Sequence, residues 1–296
     1  MRPSRRQLAV GAFVILVILA LQAGFFGYKP AKSTRVLFIT AHPDDEVIFF
    51  SPSILRFRAS GCEIFLLCLT TGNFRGKGAL RVAELSKAAA ALQIGPSHLT
   101  VIDDERIQDG HHAEWDADQV QQIIAEEVLR RDVDWVVTFD RDGVYGHLNH
   151  KACYHAVRRF LSGCLAQAGV SGQACPQAWS LTTVNSLRKY SSWLDVLPSA
   201  LEAWSGQATM LVTPSLLRTL AAMSHHASQW GWWKHVLLTR YTFVNTLQRI
   251  SDDPLSPARP PSTASATLKS LARVSHKART ARALRMGLDS TGLRGG

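Results

Sequence analysis

The sequence predicts an α/β fold: a doubly wound, mostly parallel, Rossmann-like sheet, preceded by an N-terminal transmembrane helix. Three observations carry this prediction. Short apolar runs alternate with helix-forming segments from residue 35 onward. The runs are continuous stretches of Val, Ile, Leu and Phe, as strands buried on both faces are. Two of the runs end in clusters of histidine and carboxylate, at the strand ends where open α/β sheets bind ligands.

Taken in order, a strand over 35–40 leads to a helix near 47–59. A strand over 63–70 leads through a glycine-rich loop to a helix over 79–92. A strand over 99–102 precedes a helix over 117–130, and a strand over 134–139 precedes a helix over 147–161. That βαβα order argues a parallel sheet with right-handed crossovers. Residues 162–178, rich in Gly, Gln and Ser, read as a loop. A second portion of sheet (180–185 and 209–212) and a helix over 214–228 follow. The loop Gly72-Asn-Phe-Arg-Gly-Lys-Gly78 has neither Rossmann nor Walker spacing, so no nucleotide cofactor is expected.

The first cluster is His42-Pro43-Asp44-Asp45-Glu46, directly after the strand 35–40. An imidazole and three carboxylates at the end of a buried strand are costly unless a positive charge balances them. A divalent cation suits them, because neutral imidazole nitrogen and carboxylate oxygen are both good zinc ligands. A turn opening a helix at Pro43 accounts for one acidic residue through the helix dipole. It does not account for the histidine or the adjacent aspartates. The second cluster, His147-Leu-Asn-His150, follows the strand that ends at Asp140 and supplies the missing nitrogen ligands. Glu46 is expected to brace the loop or a ligand rather than bind metal.

Residues 8–28, apolar but for Gln22, are long enough to cross a bilayer as a helix. They exceed a usual signal-peptide core, so an uncleaved anchor is expected. Arg2, Arg5 and Arg6 before the run and Lys29, Lys32 and Arg35 after it nearly cancel as topology signals. The chain carries a net charge of +10, with eight Lys or Arg against three Asp from Ser251 onward. No nucleic-acid motif accompanies that charge, so an anionic membrane surface is the expected partner. Trp230, Trp232, Trp233 and Tyr241, interleaved with Lys234 and Arg240, read as an interfacial aromatic belt, with core packing an equal alternative for any single one of them. The tail begins Pro-rich and should be disordered; its end, 268–288, has the composition of a basic surface helix, with a merely solvated tail the favoured reading. Five cysteines (62, 68, 153, 164 and 175) lack disulfide-scaffold spacing and fit a reducing compartment. The chain thus divides into an anchor (1–34), a domain (35–250) and a basic tail (251–296).

Ala41-His-Pro-Asp-Asp-Glu46 and Gly146-His-Leu-Asn-His150 resemble the two signatures of the LmbE-like zinc deacetylases. Further stretches are similar to one branch, the N-acetylglucosaminyl-phosphatidylinositol de-N-acetylases of GPI-anchor biosynthesis. They are 66–73, 136–140, Val184-Asn-Ser-Leu-Arg-Lys-Tyr190, Met223-Ser-His-His-Ala-Ser-Gln229 and 240–245. The resemblance implies hydrolysis of the N-acetyl group of a membrane glycolipid, the second step of that pathway. It also implies a single-pass protein of the endoplasmic reticulum with its catalytic domain on the cytoplasmic face.

Carried over by the resemblance, the zinc ligands are His42, Asp45 and His150, another divalent metal being an alternative. Asp44 is the base that takes a proton from the attacking water. His147 donates to the leaving amine or the oxyanion, Tyr145 is a second oxyanion donor, and Asp140 orients His147. The substrate phosphodiester calls for cations, for which Arg188 is the first choice, ahead of Arg75, Arg81 and Lys189. Two other readings stay open: a deacetylase acting on a soluble GlcNAc-conjugate, and a non-catalytic membrane-tethered sugar-binding protein. Protein partners and oligomeric state are not legible.

Overall fold

The computed structural model describes Arg6 and residues 25–110, 114–171, 175–206, 208–232 and 239–250. The apolar run 8–24, Trp233, Lys234 and the tail from 251 lie outside the described residues. Among the described residues, no helix is long and apolar enough to cross a membrane.

Eight strands form one sheet: β1 (Phe25–Phe26), β2 (Arg35–Thr40), β3 (Glu63–Cys68), β4 (Leu99–Val101), β5 (Trp135–Phe139), β6 (Gln177–Leu181), β7 (Thr209–Val212) and β8 (Val244–Arg249). Their spatial order is β1-β7-β8-β6-β5-β2-β3-β4. From β4 across to β6 every pairing is parallel. The β8, β7 and β1 edge is antiparallel. The sheet is therefore mixed and mostly parallel, with helices packed on it. β2 lies between β3 and β5, so the chain leaves it in one direction for β3 and β4 and later returns on its other side as β5. That reversal opens a crevice at the carboxyl ends of β2 and β5, where both polar clusters lie.

The expected helix 47–59 divides in two. A helical turn, Asp45–Ile48, is followed by a break at Phe49–Phe50 and then α1 (Ser51–Ala59). Pro52 explains the restart, since it disfavours helix before it and lacks an amide proton. α2 (Gly78–Ala91) and α3 (Ala117–Arg131) fall where expected. α4 (Leu148–Ser171) runs ten residues past the expected end at 161, through what reads as a loop. This extension brings Cys164 within 5.9 Å (Cα to Cα) of Cys175, and the two form a disulfide. This pairing corrects the expectation that the cysteines fit a reducing compartment. Cys62, Cys68 and Cys153 remain buried thiols.

The end of the expected span is not helical. Phe25–Phe26 pairs with Leu211 and Met210, and the Tyr28 ring stacks on Trp135 (5.3 Å) and Trp179 (5.7 Å). Chain ahead of Arg35 thus packs against the sheet. The aromatic belt is also corrected at two positions. Tyr241 and Arg240 are fully buried, Arg240 forming an ion pair with Asp195 at 2.6 Å. Their apolar and paired surroundings place them in the core rather than at an interface.

Candidate active site

A cavity of about 340 Å³ opens over the crevice. One wall is the loop after β2, with His42, Asp44, Asp45, Ile48 and Phe49; the opposite wall carries Tyr145, His147 and His150. Gly72, Phe74, Arg75 and Lys77 come from the loop after β3, and Asp109 from the loop after β4.

At the cavity floor, ligand atoms of His42, Asp45 and His150 lie within 4.8 Å of one another, all three residues buried. Asp45 is anchored by its own loop: the amides of Ala41 and His42 both donate to Oδ2 at 2.9 Å. Oδ1 faces His150 Nε2 at 3.2 Å. Burial would raise the Asp45 carboxyl, but the neighbouring His150 and His42 imidazoles and the His42 amide outweigh it and hold the carboxyl well below its ordinary range. His150 lies 3.1 Å from the Gly143 carbonyl through Nδ1, which puts its proton there and leaves the Nε2 lone pair facing the cluster. Gly143 has φ +63°, and a Cβ there would lie 3.1 Å from the His150 Cβ, so this close approach needs glycine. Phe139 stacks flat on the imidazole, with ring centroids 3.8 Å apart. Nitrogen, carboxylate and nitrogen donors, buried and oriented by their own partners, fit a divalent cation of the zinc type.

Asp44 lies beside this cluster on strained backbone, at φ 130°. Its amide donates to Glu46 Oε2 at 3.0 Å, and its carboxylate meets Arg81 Nη2 at 3.4 Å. Burial pushes the Asp44 carboxyl up to about 7, with Arg81 opposing and Asp45 adding to the rise. Glu46 is fully buried and braces the loop, pairing with His226 at 2.6 Å.

The turn Gly143–Gly146 presents Tyr145 and leads into His147. Val144 within it has φ 62°, rare for a β-branched residue, and its amide donates to Thr183 Oγ1. Asp140 holds this turn. It accepts from the Thr183 amide (2.5 Å) and hydroxyl (2.6 Å) and from the amides of Asp142 and Gly143. The expectation that Asp140 orients His147 is corrected: its Oδ1 is engaged by the turn and the Thr183 hydroxyl, and its Oδ2 by the Thr183 amide. His147 Nδ1 accepts from the Asn149 amide at 3.3 Å, which leaves the proton on Nε2. Burial, then the neighbouring His150 and His42, lower its pKa to about 4, so the ring is neutral at pH 7.

The expected phosphate cations separate. Arg188 ion-pairs with Asp195 at 2.7 Å and with Glu202, away from the cavity lining. Its assignment as the clamp is corrected, because the guanidinium fork is already filled by two carboxylates. Lys189 Nζ lies 3.3 Å above the Tyr145 ring, so it supports the wall rather than lining it. Arg81 lines the cavity, but its donors go to Gly72, Asp109, Pro43 and Gln229. Arg75 is exposed at the rim beside Lys77.

Three contributors escape a sequence reading. Asp109 Oδ1 lies 3.1 Å from His42 Nε2, His226 pairs with Glu46, and Gln229 bonds Arg81. His226 and Gln229 fall in the stretch Met223–Gln229 that carries the resemblance; Asp109 has no sequence signal.

Fold and site together define a hydrolase of the LmbE-like deacetylase class. The PIG-L family, described as GlcNAc-PI de-N-acetylase, matches residues 37–161. The N-acetylglucosaminyl-phosphatidylinositol de-N-acetylase of Bos taurus is 36% identical over 220 residues, covering 74% of this chain and 84% of its own. A probable enzyme of the same name from Schizosaccharomyces pombe is 34% identical, covering 75% of this chain and 90% of its own. The N,N'-diacetylchitobiose deacetylase of Pyrococcus horikoshii shares the fold, with a TM-score of 0.51 at 16% identity, covering 80% of this chain and 86% of that one. The chain belongs to the N-acetylglucosaminyl-phosphatidylinositol de-N-acetylase family and is a deacetylase.

Proposed function

We propose that the enzyme hydrolyses the N-acetyl group of N-acetylglucosaminyl-phosphatidylinositol, releasing acetate and glucosaminyl-phosphatidylinositol, with zinc bound by His42, Asp45 and His150. The reading makes this the second step of GPI-anchor biosynthesis. The observation that carries it is the buried His-Asp-His cluster with Asp44 beside it, in a cavity large enough for a sugar. When bound, the cation polarises the amide carbonyl and acidifies the attacking water.

Asp44, with a carboxyl near 7, is matched to accept the proton of that water at neutral pH and to pass it to the departing amine. His147 is neutral and carries its proton on Nε2, so it serves as a hydrogen-bond donor to the oxyanion rather than as an acid. Tyr145 reaches the same space from the adjoining turn. Phe49 and Phe139 pack on His150 and hold its imidazole in place. Arg75 and Lys77 at the rim are the cations offered to the substrate phosphodiester.

The substrate sits in a membrane, and the protein is read as single-pass in the endoplasmic reticulum, its domain on the cytoplasmic face. The apolar run 8–24 and the family support this. The Cys164–Cys175 disulfide argues for the other face. Alkylation in intact cells decides: free thiols at both positions support the cytoplasmic face, a disulfide the lumenal one. The activity itself is tested by acetate release from the purified protein with the glycolipid. Release that stops on chelation and returns with zinc supports the proposal; no release under any metal condition refutes it.

A further inference from the structure

Residues 186–204 present an apolar surface that nothing in the catalytic cavity uses. A helical turn, Ser186–Lys189, leads through the turn Ser192–Asp195 into α5 (Val196–Trp204). Trp204 is 84% exposed, Leu187 83% and Leu201 62%, with Tyr190, Trp193 and Leu194 each about half exposed. α5 buries Val196, Ser199 and Ala203 on one side. Leu201 and Trp204, three apart, share the opposite side. A helix at a protein surface ordinarily turns charged and polar residues outward, so an apolar outer face needs a cover.

The surface is held firmly in shape. Arg188 bonds Asp195, Ser199 and Glu202, locking the turn that carries Leu187 onto the helix that carries Leu201 and Trp204. It is also continuous with the cavity. Lys189 Nζ lies 3.3 Å above the ring of cavity-lining Tyr145 and 4.8 Å from that of Tyr190 on the apolar side. Finally, α5 packs on β1 and β7, and β1 follows directly in sequence on the apolar run 8–24.

We infer that the face formed by Leu187, Tyr190, Trp193, Leu194, Leu201 and Trp204 docks on the lipid bilayer beside the cavity mouth. Leucine mixed with Trp and Tyr is the composition that partitions at a membrane interface. The strand that follows the apolar run packs on α5, and the face adjoins the cavity through Tyr190 and Tyr145, so lipid and reaction centre would lie on one side of the molecule. The inference deepens the proposed activity and rests on its lipid-borne substrate: docking would hold the cavity at the depth of the sugar headgroup.

The test uses the full chain in vesicles of phosphatidylcholine and phosphatidylinositol. Nitroxide labels are placed on L201C and W204C, with K87C, on the exposed side of α2, as the reference. Docking gives labels at 201 and 204 that collide with oxygen more than with a water-soluble nickel chelate, and the reverse at 87. Labels at 201 and 204 open to the chelate overturn the inference. So do labels shielded from both reagents, which would mean cover by protein, either residues 8–24 or a second copy. This readout needs no turnover, so it stands or falls apart from the deacetylase reading. In activity, L201N/W204N should lower acetate release from vesicle-borne substrate on the order of tenfold and leave a lipid-free glycan substrate unchanged. Equal loss on both substrates counts against docking.

Discussion

Asp109 Oδ1 lies 3.1 Å from His42 Nε2, which brings a loop carboxylate against a histidine of the cluster. On the other side of the ring, His42 Nδ1 lies 3.7 Å from Asp45 Oδ2. Arg81 secures Asp109 from behind at 3.2 Å and also reaches Asp44. One arginine thus positions both the carboxylate that orients a ligand and the carboxylate proposed as base.

Removing Asp109 should therefore weaken metal binding without touching a ligand. Asp109→Ala is expected to lower zinc affinity roughly 10- to 100-fold, read by competition with a chelator of known affinity. Turnover at saturating zinc should recover most of its wild-type value. Unchanged affinity would show that His42 needs no such orientation.

The neighbouring aspartates should separate cleanly. His150→Ala is expected to lose metal and activity together, because its Nε2 is one of three donors. Asp44→Asn, isosteric and outside that trio, should keep metal while turnover falls about 10²- to 10⁴-fold. Metal content by mass spectrometry beside acetate release makes the comparison. Equal metal loss in both variants contradicts the division of roles.

These residues differ in how far the sequence discloses them. β2, β3 and β5 are legible because strands buried on both faces need unbroken apolar runs, and the two ligand clusters follow such runs directly. β8 (VNTLQR) is not, since its outer end is exposed and polar and its pairing is antiparallel across β6 and β7. Asp109 lies in an aperiodic loop among other acidic residues, and only the tertiary fold brings it to His42. Arg188 shows the opposite failure: its charge is plain, but the carboxylates of Asp195 and Glu202 that claim it are revealed only by packing.

The His226–Glu46 pair should make stability depend on pH. Burial opposes a charge on His226, but Glu46, at 2.6 Å, outweighs it and the pKa rises above 6.5. The sign follows from a raised histidine: the charged pair's contribution is complete below pH 6.5 and is lost as pH rises through the folded-state value. The melting-temperature gap between wild type and His226→Gln should be widest in mildly acidic buffer and narrow toward alkaline pH. Below pH 6.5, breaking a buried pair costs about 3–5 kcal/mol. A gap that widens as pH rises reverses the assignment.

Arg188 offers the sharpest choice between phosphate binding and architecture. Its Nε and Nη2 engage Asp195 at 2.7 and 3.1 Å, Nη1 engages Glu202, and fully buried Arg240 meets the same Asp195. A lysine keeps the charge but cannot span both carboxylates, so it leaves polar groups of Asp195 and Glu202 underserved. Arg188→Lys should lower stability by about 1–3 kcal/mol, seen as an earlier melting transition. Below that transition, kcat/KM should be nearly unchanged on both the intact glycolipid and a phosphate-free N-acetylglucosaminyl-inositol. A loss confined to the phosphate-bearing substrate, with melting unaltered, would restore Arg188 as the clamp and require its ion pairs to open on binding. Arg75→Ala should show that selective loss instead, because Arg75 stands exposed at the cavity rim where a phosphodiester would pass.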